Sequence, residues 1–85
     1  MKLRDVIKQI NRDEIEIIFR TYIDLPDEGE TDIFAGICTY KDGELISGDL
    51  DTYSLDDEVL PNWEYVLSVD ESTLCVWYES KWIRG

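Results

Sequence analysis

The residues best suited to chemistry in this 85-residue chain are its carboxylates: twenty Asp and Glu stand against eight Lys and Arg, for a net charge of −12. They are densest where Gly48-Asp49-Leu50-Asp51 is followed by Asp56-Asp57-Glu58. Clusters of oxygen ligands hold hard cations, and paired carboxyls share protons for acid–base work. The spacing does not suit a cation. In a calcium loop beginning at Asp49, the third ligand position falls on Tyr53, the glycine position on Ser54 and the closing glutamate position on Leu60. A glycosidase-style carboxylate pair needs a cleft, for which a chain this short has little room. There is no histidine, which removes the commonest general base, the Ser-His and Cys-His pairs and most zinc sites. No Gly-rich phosphate loop followed by Lys is present. The expectation is a protein that is not an enzyme and needs no metal or cofactor, its acids forming a solvated, partner-binding surface.

The charge is lopsided. Lys2, Arg4, Lys8, Arg12 and Arg20 lie in the first twenty residues, whereas from Asp24 to Glu79 sixteen acids face one base, Lys41. Phosphate contacts require Lys and Arg, so direct nucleic-acid binding and docking on an anionic membrane are both disfavoured. Such acidity destabilises the compact state by self-repulsion, and it either serves solubility or complements a basic partner. Cys38 and Cys75 sit in apolar, strand-like runs, where buried reduced thiols are expected. A secreted scaffold of this size carries more cysteines. With no apolar run of ~18 residues and no signal-type apolar segment at the start, the expected location is cytoplasmic.

The elements that must position these residues read as one domain, 1–85. Residues 2–11 predict a helix, because Leu3, Val6, Ile7 and Ile10 form one apolar stripe. Residues 14–23 alternate as a strand: Ile15, Ile17, Phe19, Thr21 and Ile23 face the core, and Ile18 and Tyr22 are apolar exceptions on the wet face. Residues 25–30 make a loop and 31–40 a second strand, in which small Ala35 and Gly36 permit close approach. Asp42-Gly43 marks a hairpin turn into a third strand, 44–50. Residues 51–60 predict irregular chain with a short helix, since Ser54 and Asp57 approximate a capping box and Pro61 stops it. Strands at 64–69 and 73–78 follow, then a basic aromatic tail, 81–85. The expected fold is α+β: the N-terminal helix packed on an antiparallel sheet of about five strands, with one short helix before the last two.

Aromatic residues offer a second kind of surface. Trp77 shares one face of the last strand with Cys75, while Val76 and Tyr78 take the other, and one of these faces is core. Trp63 and Trp82 belong to no clear core stripe. They either cap the ends of a thin core or anchor an interface.

The opening residues Met1-Lys2-Leu3-Arg4-Asp5-Val6-Ile7-Lys8-Gln9-Ile10-Asn11-Arg12-Asp13 resemble the start of phage-encoded anti-CRISPR inhibitors of the Cas9 class, which begin with a short amphipathic helix ahead of an antiparallel sheet. Length and acidity are also similar. The C-terminal third departs, alternating like strands where the family is helical, and no individual residue is carried over. The resemblance implies a DNA mimic that fills the basic DNA-entry cleft of a guide-loaded Cas nuclease. The physical reading is compatible: spaced carboxylates imitate phosphates and engage a basic nucleic-acid-binding protein, steered by charge and weakened by salt. The candidate partner-binding residues are Asp49, Asp51, Asp56, Asp57, Glu58 and Trp63, with Asp42, Glu44, Asp70 and Glu71 nearby. Changing the first five to Asn or Gln is expected to abolish binding and leave the fold intact. The alternative is a generic protein-interaction or homodimerisation domain of a phage or mobile element, built on an aromatic interface with acidity serving solubility.

Overall fold

The computed structural model describes residues 1–69 and 72–78. The expected strands at 64–69 and 73–78 flank the gap between these ranges, and the basic tail lies beyond them. The elements are α1 (Leu3–Ile10), β1 (Glu14–Leu25), β2 (Gly29–Lys41), β3 (Glu44–Gly48), β4 (Glu64–Leu67) and β5 (Ser72–Tyr78).

The helix is eight residues long, too short to persist alone, so burial of its stripe decides its stability. Leu3, Val6 and Ile7 are buried. Asn11 ends the helix in the left-handed region (φ 58°, ψ 52°) and donates its N–H to the Ile7 carbonyl at 3.1 Å. The N-terminus has no side-chain cap. Instead the Leu3 and Arg4 N–H groups donate to the carbonyls of Asp57 and Leu55, each at 2.9 Å, and the Asp5 and Val6 N–H groups donate to the Lys2 carbonyl. A segment distant in sequence thus satisfies the donors that a helix start leaves over.

The sheet has five strands in the order β3-β2-β1-β5-β4. It is mixed rather than antiparallel: β1 and β5 run parallel, with Ile17 opposite Leu74, and every other neighbouring pair is antiparallel. The parallel pair follows from the route of the chain. Leaving β3 at one edge, residues 49–63 cross the helix-bearing face to the other edge, so β4 descends there and β5 returns beside β1. The crossing segment holds turns and one isolated bridge, Lys2 to Glu58, where a short helix was expected. The capping-box hydrogen bonds do form: the Ser54 N–H donates to Asp57 Oδ2 at 3.0 Å, and the Asp56 N–H donates to Ser54 Oγ at 3.2 Å. No helix grows from them, because the Leu55 and Asp57 carbonyls are committed to α1.

The core lies between the sheet and the layer made by α1 and the crossing segment. Phe19, Leu3, Ile15, Ile17, Leu74, Val6, Val76 and Cys38 are its largest fully buried side chains. Burying each large aliphatic or aromatic one contributes ~1.5–3 kcal/mol. Tyr53 stacks flat on Phe19 at 3.9 Å, and Tyr78 meets both edge-on. Gly36 makes room for this, since a Cβ there would lie 2.7 Å from Tyr53 Cε2. The β2–β3 turn takes positive φ at Asp42 and Gly43, as the sequence predicts. No helix among the described residues is long and apolar enough to cross a membrane.

Candidate binding surface

The acidic residues singled out from the sequence do not form one free patch. Asp49 Oδ2 accepts the Ile37 N–H at 3.0 Å while the Asp49 N–H donates to the Ile37 carbonyl, which closes the end of the β2–β3 hairpin. Asp56 Oδ1 accepts from Arg4 Nε at 3.0 Å and Nη2 at 2.8 Å. That guanidinium holds the Asp56 carboxyl below the usual carboxylate range. Asp57 Oδ2 accepts both the Ser54 N–H and the Tyr78 O–H, the latter at 2.8 Å. Burial first, and the Asp57 carboxylate second, push the Tyr78 phenol well above its ordinary value. Glu58 Oε2 pairs with the N-terminal ammonium at 2.8 Å, which lowers its carboxyl. Asp51 is exposed. Four of these five acids therefore tie the crossing segment to the N-terminal residue, α1, β2 and β5. Trp63 is half-buried against the core. Asp42 sits in the hairpin turn and Glu44 opens β3, while Asp70, Glu71 and Trp82 lie outside the described residues.

Among the described residues α1 and the crossing segment cover one side of the sheet, and the opposite face has a different character. Strand alternation places Ile37 of β2, Ile18 of β1 and Cys75 of β5 in one cross-strand row on this open face. Phe34, opposite Arg20, continues the apolar surface at one end and is 58% exposed. Val66, opposite Thr73, continues it at the other and is 62% exposed. Carboxylates border the band: Glu14, Glu16 and Glu44 along one side and Glu64 at a corner. None of these four makes an ion pair among the described residues. Lys41, the register partner of both Glu14 and Glu44, and Arg12, which lines a hollow with Glu14 and Glu16, are cations among them.

The remaining border is built by Asp32, whose Oδ2 accepts from Arg20 Nε at 2.9 Å and from Trp77 Nε1 at 3.2 Å. The Trp77 hydrogen bond, then the Arg20 contact, lower the Asp32 carboxyl. Trp77 lies on the open face, yet only 8% of it is exposed. Cys75 is half-buried on this face rather than sunk in the core, while Cys38 is buried on the other. With β1 between them and their side chains on opposite faces, the two thiols cannot reach disulfide geometry. A hollow of about 460 Å³ adjoins the band, lined by Glu14, Glu16, Thr39, Thr73 and Arg12 with Leu67 of β4.

The chain matches no protein-family model, no curated protein and no solved structure. Among the described residues no three acidic or thiol groups gather to hold a metal ion. The open-face band was not selected as a site from the sequence. Its signal was present in part: Ile18 and Tyr22 interrupt the wet side of β1. What joins Ile18 to Ile37 and Cys75 is strand register, which the sequence does not print.

Proposed function

We propose that this chain is an acidic binding protein that occupies the basic surface of a nucleic-acid-binding protein in place of nucleic acid. The supporting observation is charge left uncompensated by the fold. Sixteen acids between Asp24 and Glu79 face one base, and the ion pairs among the described residues engage only Asp32, Asp56 and Glu58. Repulsion of this size works against compactness and steers association with cationic surfaces. The reading assigns no catalytic residue and no cofactor. A guide-loaded Cas nuclease is the partner that the N-terminal resemblance implies, acting in the cytoplasm.

The test is a pull-down on immobilised protein with guide-loaded Cas9 and with other DNA-binding proteins of a bacterial lysate. Retention that weakens with salt and is displaced by competitor DNA supports the proposal. Retention indifferent to both would overturn it. A homodimer built on tryptophans receives less support, because Trp77 is buried and Trp63 packs partly into the core.

A further inference from the structure

The open face of the sheet has the layout of a docking surface, and its chemistry specifies an occupant. The apolar band runs obliquely from Phe34 on β2 to Val66 on β4, three strand spacings across and about four residues along. At ~4.8 Å per spacing and ~3.3 Å per residue this is ~20 Å, the length of a helix of ~13 residues. Exposed apolar surface bordered by polar groups marks interaction sites rather than ordinary surface. Glu14, Glu16, Glu44, Glu64 and Asp32 outnumber Arg12, Arg20 and Lys41 around that border and leave it net negative. A second copy of this chain is a poor occupant, since it would bring a face with the same excess of carboxylates against this one. The molecule itself shows what satisfies the sheet. On its covered face lies a helix whose Leu3, Val6 and Ile7 are buried and whose flanks carry Lys2, Arg4 and Lys8.

We propose that the open face binds a basic amphipathic helix of a partner protein, its apolar stripe laid on Phe34, Ile37, Ile18, Cys75 and Val66 and its Lys and Arg side chains reaching Glu14, Glu16, Glu44 and Glu64. Helix recognition of this kind places residues at i, i+3, i+4 and i+7 against an apolar surface. The inference rests on the proposed function in one respect, that the partner is basic. It goes further in placing the contact on the sheet and not on the crossing segment.

The experiment uses the full chain and two fluorescent 14-residue peptides of one composition. One carries Leu and Ile at i, i+3, i+4 and i+7 with Lys and Arg elsewhere, and the other is an order-scrambled control of equal charge. Affinity is read by anisotropy, and the contact is mapped by amide chemical shifts. The patterned peptide is expected to bind at least ~10-fold tighter than the control, with shifts on Ile18, Phe34, Ile37, Cys75 and Val66. Phe34→Ser and Val66→Ser, both at exposed positions, are each expected to weaken it ~5–10-fold with an unchanged melting temperature. Equal binding of the two peptides, or shifts confined to residues 49–58, would overturn the inference and leave the acidic-binding reading standing. Failure of both peptides to bind at low salt would overturn the two together.

Discussion

At the residue scale, carboxylates of one type perform opposite tasks. Asp57 and Asp51 are close in sequence and both acidic, but Asp57 joins the crossing segment to the Tyr78 hydroxyl and the Ser54 amide, whereas Asp51 is exposed. Asp57→Ala is therefore expected to cost about 1–3 kcal/mol in urea unfolding, and Asp51→Asn less than ~0.5 kcal/mol. Equal effects would show that the Tyr78 contact contributes nothing. The second residue-scale prediction concerns acid. Asp32, Asp56 and Glu58 all titrate below their ordinary values in the folded state. For a depressed carboxyl the unfolded chain takes up the proton first. The stability it contributes is complete above the ordinary carboxylate value and disappears as pH falls through the folded one. Asp32→Asn removes one such group and is expected to flatten the fall in urea midpoint as pH drops below the ordinary carboxylate value. A slope identical to that of the unaltered protein would refute the contribution of the Arg20 and Trp77 contacts to stability.

At the element scale, α1 starts without a capping side chain because the crossing segment supplies carbonyls to its first amides. A capping substitution ordinarily gains ~1 kcal/mol at a bare helix start. Here the first four N–H groups already have acceptors, so Lys2→Asp is expected to change thermal stability by less than ~0.5 kcal/mol. A full capping gain would mean that the Leu55 and Asp57 carbonyls are poor acceptors in solution. The same exchange explains the missing short helix. Ser54 and Asp57 form the local hydrogen bonds that begin a helix, and two backbone carbonyls of the segment are diverted to α1. Local hydrogen-bonding preference is worth about 1 kcal/mol and yields to a tertiary arrangement that satisfies more groups.

At the scale of the whole molecule, charge and topology dominate. With a net charge of −12 and three ion pairs among the described residues, folding concentrates like charge. Raising NaCl from low to physiological concentration shortens the Debye length to ~8 Å and is expected to raise the melting temperature. A fall would show that attractive pairs outweigh repulsion. Topology makes the chain depend on its last described strand, because β5 places Leu74, Val76 and Tyr78 in the core beside β1. A chain ending at residue 60 loses this central neighbour and is expected to show no cooperative thermal transition by circular dichroism.

The element types were legible from the sequence because they rest on periodicity, which is local. The 3.6-residue spacing of Leu3, Val6, Ile7 and Ile10 yields α1, alternation from Ile15 to Ile23 yields β1, and Asp42-Gly43 yields the hairpin. The inward face of β1 was legible for the same reason from Ile15 to Thr21, while Ile23 is half-buried and outside the core. Sheet order was not. Periodicity says which side chains share a face but not which strand lies beside which, so the parallel β1–β5 pair appears only when the chain crosses from one edge to the other. The acidic segment 49–58 was visible as charge, yet whether each carboxylate meets water, a guanidinium or a backbone N–H depends on groups up to fifty-seven residues away, as Glu58 and the N-terminal amine show. The open-face band follows the same rule. Ile18, Phe34, Ile37, Val66 and Cys75 are unremarkable singly, and only strand register, closed by long-range hydrogen bonds, assembles them into a surface.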